Sequence, residues 1–331
     1  MSLSPLPLGG VHHVTAITSS AANIYQFFTR VLGLRLVKKT VNQDDVRAYH
    51  LFFADDRGNP GTDMTFFDFG MSAKAVRGTN EIYRTSFRVK TDESLQYWLK
   101  RFQRYQVKHE PIKTNLGRKW LNFVDFDEQM YTLVSDEGIE GVPAGEPWHL
   151  GPVPDEFAII GLGPIFIRVN DANLMDTQLT KLMGLTKVAK DGSLTLYEMA
   201  PKGNGAGVII DFQRLMGQAI QGYGTIHHVA FRIKNRDELE DWRIHLLQNH
   251  IPNSGFVDRY YFQSLYARVY PRVLFEFATD GPGFIDEEEP YETLGETLSI
   301  PPHLKVKADL IKQMIKPLNT KRSGFVFPKE Y

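Results

Sequence analysis

Cysteine is absent from all 331 residues. That excludes disulfides, thiolate metal sites and a cysteine nucleophile, so any metal must be held by His, Asp, Glu or Tyr. Net charge is nearly absent too: 38 basic against 39 acidic residues leave −1. Such a balance gives no electrostatic reason to expect nucleic acid or an anionic membrane as partner. The segment from Met1 to Gly10 has neither a basic stretch nor a long apolar run, so neither a signal peptide nor a membrane span is expected. A cytoplasmic protein is the default. Apolar residues are plentiful at 42%, enough over this length for two domains with real cores.

The chain repeats itself. Ile82 opens IYRTSFRVKTDESLQYWLKRF, and Ile226 opens IHHVAFRIKNRDELEDWRIHL. Phe87, Trp98 and Asp136 recur as Phe231, Trp242 and Asp280, each 144 positions later and with no gap between them. A weaker pair joins GGVHHVTAI near Gly10 to GLGPIFIRV near Gly163. The stretch from Ala22 likewise resembles that from Ala172, at offsets drifting between 150 and 153.

Four modules follow, roughly 10–71, 80–136, 160–215 and 224–280. Each opens on a strand of alternating apolar residues, such as Val11–Ile17. An amphipathic helix comes next, with Asn23 or Ser94 near its start and Ile24, Phe27, Phe28 and Val31 at helical spacing. Gly33 and Gly184 mark helix ends where a left-handed residue is wanted. Further strands include Ala48–Phe53 and Met64–Phe69. The order is βαβββ, and the fold class is α+β. Residues 1–136 form an N-terminal half and 158–282 a C-terminal half. Gly-, Pro- and acid-rich 137–157 reads as the linker. The tail, 283–331, reads as a solvated wrap-around segment with an acidic run (Asp286–Pro290) and a short amphipathic helix near Leu304–Met314.

The chemistry-bearing residues stand out from this frame. Two His-His doublets, His12-His13 and His227-His228, open strands of the first and fourth modules. Glu276 lies within the apolar strand Val273–Ala278, where a carboxylate is costly unless paired or bound to a cation. One pairing would be a buried ion pair with Arg268 or Arg272. The other is metal: two imidazoles and one carboxylate make the facial triad that leaves three positions open on Fe(II). At the 144-residue offset, His228 falls on Arg84 and Glu276 on Thr132, and in the weaker pair His13 falls on Phe166. One site per chain is therefore expected. Its ligands are 215 residues apart, so the first module should pair with the fourth and the second with the third. Strand alternation leaves open which histidine of each doublet faces the metal.

These residues resemble the vicinal oxygen chelate superfamily, which includes glyoxalase I, extradiol dioxygenases and fosfomycin-resistance proteins. The likeness is greatest to its hydroquinone ring-cleaving dioxygenases. It spans nearly the whole chain and rests on HHVT, YHLFFADDRGNPGTDMTFF, IHHVAF, DRYYFQSLYAR and VLFEFATDGPGF. The run Gly58-Asn59-Pro60-Gly61-Thr62 is fairly specific to that subgroup. The resemblance implies two open, mixed, barrel-like β domains and metal ligation by His13, His228 and Glu276. It implies Fe(II), with Mn, Ni or Zn able to occupy the isolated protein, and a small aromatic diol and O2 as partners. His12, Thr15, His227, Arg259 and Tyr266 match residues that line the substrate pocket in such enzymes. A homo-oligomer is compatible with the sequence. Two other functions share the fold. A glyoxalase I-like lyase or isomerase would add a fourth ligand near Phe66–Asp68, where Asp68 is the candidate, and a resistance protein would merely bind an aromatic compound.

The remaining candidates read as structural. His50, His109, His149, His245, His250 and His303 sit in unrelated contexts. Gly203–Gly207 lies between strands and reads as a turn, not a phosphate loop. Phe27, Phe28 and Leu32 read as helix core, and Lys38-Lys39 and the charges of 316–322 as solvated faces.

Overall fold

The computed structural model describes residues 6–285 and 289–331, so Asp286, Glu287 and Glu288 of the acidic run lie outside the described residues. The first module comprises β1 (Val11–Ile17), α1 (Ala21–Gln26), β2 (Arg35–Val41), β3 (Tyr49–Ala54) and β4 (Asp63–Asp68). The second comprises β5 (Glu81–Val89), α2 (Asp92–Arg104), β6 (Lys113–Asn115), β7 (Arg118–Val124) and β8 (Met130–Ser135). A short β9 (Ile159–Leu162) precedes the third: β10 (Ile165–Val169), α3 (Ala172–Thr177), β11 (Thr186–Asp191), β12 (Leu194–Glu198) and β13 (Gly207–Phe212). The fourth comprises β14 (Thr225–Ile233), α4 (Arg236–Gln248), β15 (Asn253–Asp258), β16 (Phe262–Tyr270) and β17 (Val273–Pro282). All four modules are βαβββ. After them comes α5 (Ala308–Met314).

The modules combine as their ligand spacing requires. One mixed sheet of eight strands has the order β15-β16-β17-β14-β1-β4-β3-β2, joining the fourth module to the first. The other runs β11-β12-β13-β10-β5-β8-β7-β6, with β9 paired to β5 off that path, and joins the third to the second. Both are open, ending on edge strands, and no helix among the described residues is long and apolar enough to cross a membrane.

Local chemistry explains the helices. Ser20, Thr91, Asp171 and Asn235 cap α1 to α4, each side chain accepting from the backbone N–H three residues on, an interaction worth about 1 kcal/mol per helix. Asn23 and Ser94 thus supply capped N–H groups rather than caps. The helices of modules one and three widen into one π turn before ending: Leu32 N–H reaches Phe27 O and Met183 N–H reaches Gln178 O. Gly33 and Gly184 follow at φ +66° and +73°. The equivalent Trp98 and Trp242 are both 0% exposed and donate to Phe157 O and Pro7 O, tying segments outside the sheets onto the core.

The tail corrects the sequence reading. β2 is buried along all seven residues, so Lys38 and Lys39 are not solvated. Lys38 Nζ is ion-paired with the buried Glu289, and Lys39 Nζ donates to Thr320 Oγ1 (2.8 Å), Glu296 O and Leu318 O (both 3.1 Å). Arg322, half-buried, donates to the carbonyls of Leu36 and Leu294, while Lys316 and Lys321 are exposed as expected. The physical reason is topological. β2 is a sheet edge, a liability that proteins cover, and the tail is the cover.

Candidate metal centre

β1 and β14 pair antiparallel at the centre of the eight-stranded sheet, in the register His13↔Ala230, Val14↔Val229, Thr15↔His228. On either side of these pairs the register slips by one residue, skipping His12 on β1 and His227 on β14. Each doublet therefore straddles a β-bulge. A bulge re-aims a side chain that strict alternation would send to the opposite face. Strict alternation therefore does not hold here: His12 and His13 are both 2% exposed, and their Nδ1 atoms meet at 2.9 Å. His227 and His228 repeat the contact at 2.8 Å.

The motif Gly58–Thr62 serves this arrangement. Asp55 Oδ1 accepts from the backbone N–H groups of Gly58 (2.8 Å) and Asn59 (3.0 Å), and the Thr62 hydroxyl donates to Asn59 O (2.7 Å). The loop so fixed gives Gly61 N–H to His12 O at 2.8 Å, holding the bulge from behind.

Three ligand atoms converge. His13 Nε2 lies 3.3 Å from His228 Nε2 and 3.2 Å from Glu276 Oε2, and His228 Nε2 lies 2.9 Å from Glu276 Oε2. Among the described residues this is the one group of three or more His or carboxylate side chains with ligand atoms within 4.8 Å of one another. Glu276 is 0% exposed. Its Oε1 accepts from Ser264 Oγ at 2.5 Å, whereas Oε2 receives no well-aligned hydrogen bond although the two imidazole nitrogens are near. Burial alone would push this carboxyl up, but His13 and His228 hold it well below its ordinary value, so it is anionic at neutral pH. Arg268 is exposed and Arg272 donates to Ala219 O, so neither forms the alternative ion pair.

The donor set fits a metal ion. His12 Nε2 lies 3.1 Å from Thr279 O, which can only accept, so it carries the proton. Burial lowers the His12 pKa to about 3, keeping it neutral, so its Nδ1 is an acceptor and His13 must donate from Nδ1. With its Nδ1–H committed to His12, His13 turns Nε2 to the Glu276 carboxylate, where a proton or a metal ion can sit between them. Lone pair against anion is repulsive unless a cation lies between them. Ligands about 2.1 Å from one ion at right angles would stand about 3.0 Å apart, close to the three separations observed. The site thus has an outer set of hydrogen bonds that fixes ligand tautomers, as metal-binding histidines commonly do.

A cavity of about 410 Å³ opens on this centre. Phe52, Phe67, Phe69, Phe262 and Leu274 form its apolar walls; His50, His227, Arg259 and Tyr266 are among its polar groups. Arg259 donates from Nε to Tyr266 OH (3.1 Å) and from Nη2 to Asp44 Oδ2 (3.1 Å). Burial raises the Tyr266 pKa well above its ordinary value, so the phenol keeps its hydrogen, with the Arg259 guanidinium and the Ser264 hydroxyl as its neighbours. His227, lowered by burial to about 3, is neutral and lines the cavity. His12 and Thr15 do not line it: His12 is engaged behind His13, and Thr15 Oγ1 lies 2.7 Å from Thr65 Oγ1. The sequence reading also missed Ser264 and His50. Ser264 sits within the quoted run DRYYFQSLYAR, but only strand pairing places it beside Glu276.

Geometry also weighs the four-ligand alternative. Ala230, on β14, neighbours Glu276 on the parallel β17; Thr15, its counterpart 215 residues earlier, neighbours Thr65 on the parallel β4. The position symmetric with Glu276 is therefore Thr65, not a carboxylate. Asp68 accepts from the N–H groups of Ala21 (2.8 Å) and Gly70 (2.9 Å). In the other sheet, Arg84 stacks on Phe166 at 5.5 Å, and Tyr83, Trp120, Phe166, Leu196 and Ile209 close up the space.

Paired βαβββ modules around a single two-histidine, one-carboxylate centre place the chain in the Glyoxalase/Bleomycin resistance protein/Dioxygenase superfamily, whose sequence profile matches residues 10–134; the chain belongs to this family. It is 38% identical over 318 residues to MhqA of Bacillus subtilis (strain 168), described as a candidate ring-cleaving dioxygenase, covering 95% of this chain and 100% of that protein. It is 30% identical to the chlorohydroquinone/hydroquinone 1,2-dioxygenase of Sphingobium indicum, over 95% of this chain and 98% of that one. A crystal structure of a candidate dioxygenase from Bacillus subtilis subsp. subtilis str. 168 superposes with TM-score 0.88 at 31% identity, over 96% of this chain and 99% of the other. Maize glyoxalase I, at TM-score 0.57 and 10% identity over 82% of this chain and 91% of that one, shares the fold.

Proposed function

We propose that the protein is an Fe(II)-dependent ring-cleaving dioxygenase acting on a hydroquinone- or catechol-type aromatic diol, with His13, His228 and Glu276 as the metal ligands. The observation that carries this is a three-ligand centre with no carboxylate at the fourth symmetric position, facing an aromatic cavity. The names of the relatives support the substrate class.

Held by His13, His228 and Glu276, iron would supply the activation of O2. The chain's own residues do the rest. Phe67 and Phe262 hold the ring in a largely apolar slot. His227, neutral and with its Nδ1 taken by the His228 N–H, offers its Nε2–H as a hydrogen bond to a substrate oxygen, and the hydroxyl proton leaves to solvent through the open cavity. Tyr266 donates its hydrogen bond, and Arg259 its positive charge, to the anionic oxygen that results. His12 orients His13, and Thr15 supports Thr65. In the reaction the ring C–C bond beside one hydroxyl-bearing carbon breaks, and each of those two carbons gains one oxygen atom from O2.

The test loads the protein with Fe(II) under nitrogen and measures oxygen uptake with a panel of hydroquinones and catechols. Uptake equal to the ring-opened product formed is expected. No uptake and no ring-opened product across the panel would overturn the assignment.

A further inference from the structure

We propose that His50 binds the hydroxyl of a 1,4-diol that lies away from the metal, and that it thereby selects hydroquinones over catechols. The proposal rests on the ring-cleaving reading above and deepens it.

The placement comes from the sheet. His50 is on β3, which is two strands removed from β1 in the order β1-β4-β3. Strands in a sheet stand about 4.8 Å apart, so β3 is about 10 Å from β1 across the sheet. His50 lines the same cavity as His13 and His228, displaced from them across the sheet. Its ring is clamped between aromatic neighbours, 4.0 Å from Phe52 and 4.4 Å from Phe67 between centroids. Its Nε2 is committed, lying 2.9 Å from Thr65 Oγ1, which in turn lies 2.7 Å from Thr15 Oγ1. Its Nδ1 has no hydrogen-bond partner among the described residues, and it is not among the buried atoms sealed from solvent.

A rigid imidazole thus presents one open nitrogen amid Phe52, Phe67 and Phe69, where no protein group answers it. Water can reach this nitrogen in the cavity, and a ligand hydroxyl that displaces that water would take its place as partner. The hydroxyls of Thr15 and Thr65 can orient their hydrogens in either direction, so the open nitrogen can accept a hydrogen bond or donate one. Burial pushes the His50 pKa well below its ordinary value, which keeps the ring neutral for either role.

The geometry discriminates between diols. A hydroquinone carries its two oxygens at opposite ends of the ring, one for the metal and one for His50. A catechol or a simple phenol presents no oxygen at the far end and leaves the nitrogen unanswered. Sites built to hydrogen-bond a hydroxyl reject analogues that lack it.

The experiment measures dissociation constants of hydroquinone, catechol and phenol by calorimetry, under nitrogen, on the Fe(II)-loaded protein. The wild type should prefer hydroquinone over phenol by about tenfold, the worth of one hydrogen bond. In His50→Phe the preference should fall to about two, the statistical advantage of two equivalent hydroxyls, with phenol affinity unchanged within about twofold. His50→Gln, which keeps a polar end, should restore part of it. Thr65→Val, which frees His50 from its partner while leaving its ring in place, should reduce the preference and gives an independent reading if His50→Phe does not fold. Hydroquinone binding with a preference that survives both His50→Phe and Thr65→Val overturns this proposal alone. Failure of hydroquinone to bind the wild type while catechol binds overturns this proposal alone, and failure of both diols to bind overturns the ring-cleaving reading with it.

Discussion

Replacing His12 by Phe should loosen the metal while leaving the fold intact. His12 is the acceptor for His13 Nδ1–H at 2.9 Å and is itself fixed by Thr279 O at 3.1 Å. Phe is close to His in size, so little cavity opens. What changes is that a buried donor on His13 loses its acceptor, a loss of about 1–3 kcal/mol. Losing such outer hydrogen bonds typically lowers metal affinity about 10–100-fold, which corresponds to about 1.4–2.7 kcal/mol. The two ranges agree, so the expected effect is one to two decades in the dissociation constant. Competition against a calibrated chelator measures it for Fe(II) and Zn(II). The same variant should change acid stability. His12 has a native pKa of about 3 against an ordinary value of 6.5, so as pH falls below 6.5 the unfolded chain binds the proton first and the native state loses ground. That contribution is present above pH 6.5, amounts to a loss of about 2 kcal/mol by pH 5, and continues down to pH 3. In the metal-free wild type it should appear in urea unfolding at pH 7 and pH 5, and His12→Phe should show a shallower decline. Metal affinity within about twofold of wild type, together with an unchanged pH slope, would refute the reasoning.

Other perturbations follow from the same contacts. Lys38→Ala takes one buried cation from Glu289, which keeps the Gly295 N–H and the nearby Lys39, and should cost about 1–3 kcal/mol in urea unfolding; an unchanged midpoint would mean the tail does not seal β2. Tyr266→Phe removes a hydrogen-bond donor facing the cavity and should lower kcat about 100-fold at unchanged metal content, measured by oxygen uptake. Gly33→Ala would hold a side chain at φ +66° with its Cβ 2.5 Å from Val153 Cγ2, and should destabilise by more than about 1 kcal/mol in thermal unfolding.

Much of this was legible in the sequence, for identifiable reasons. A 144-residue repeat and two histidine doublets 215 residues apart already require the first module to meet the fourth, and β1 lies beside β14 as they demand. Glu276 stood out because a carboxylate in an apolar strand needs a reason. The bulges at His12 and His227 were not legible, because a one-residue register slip leaves no mark on an alternating pattern. Lys38 and Lys39 looked solvated because nothing local shows that β2 is an edge covered by residues some 250 positions on. His50 looked incidental for the same reason: its meaning depends on β3 lying next to β4 and on Thr65 linking it to β1. Contacts made across distant strands stay hidden until the strand order is known.

The central claim is that one three-ligand centre per chain opens an aromatic ring with both atoms of O2. Its most direct test is a turnover of hydroquinone under ¹⁸O2 by Fe(II)-loaded protein, run beside Glu276→Ala. The expected result is a ring-opened product in which the two carbons of the broken bond each carry one labelled oxygen, one iron per wild-type chain, and no such product from the variant. Unlabelled product, or undiminished turnover by Glu276→Ala, would contradict it.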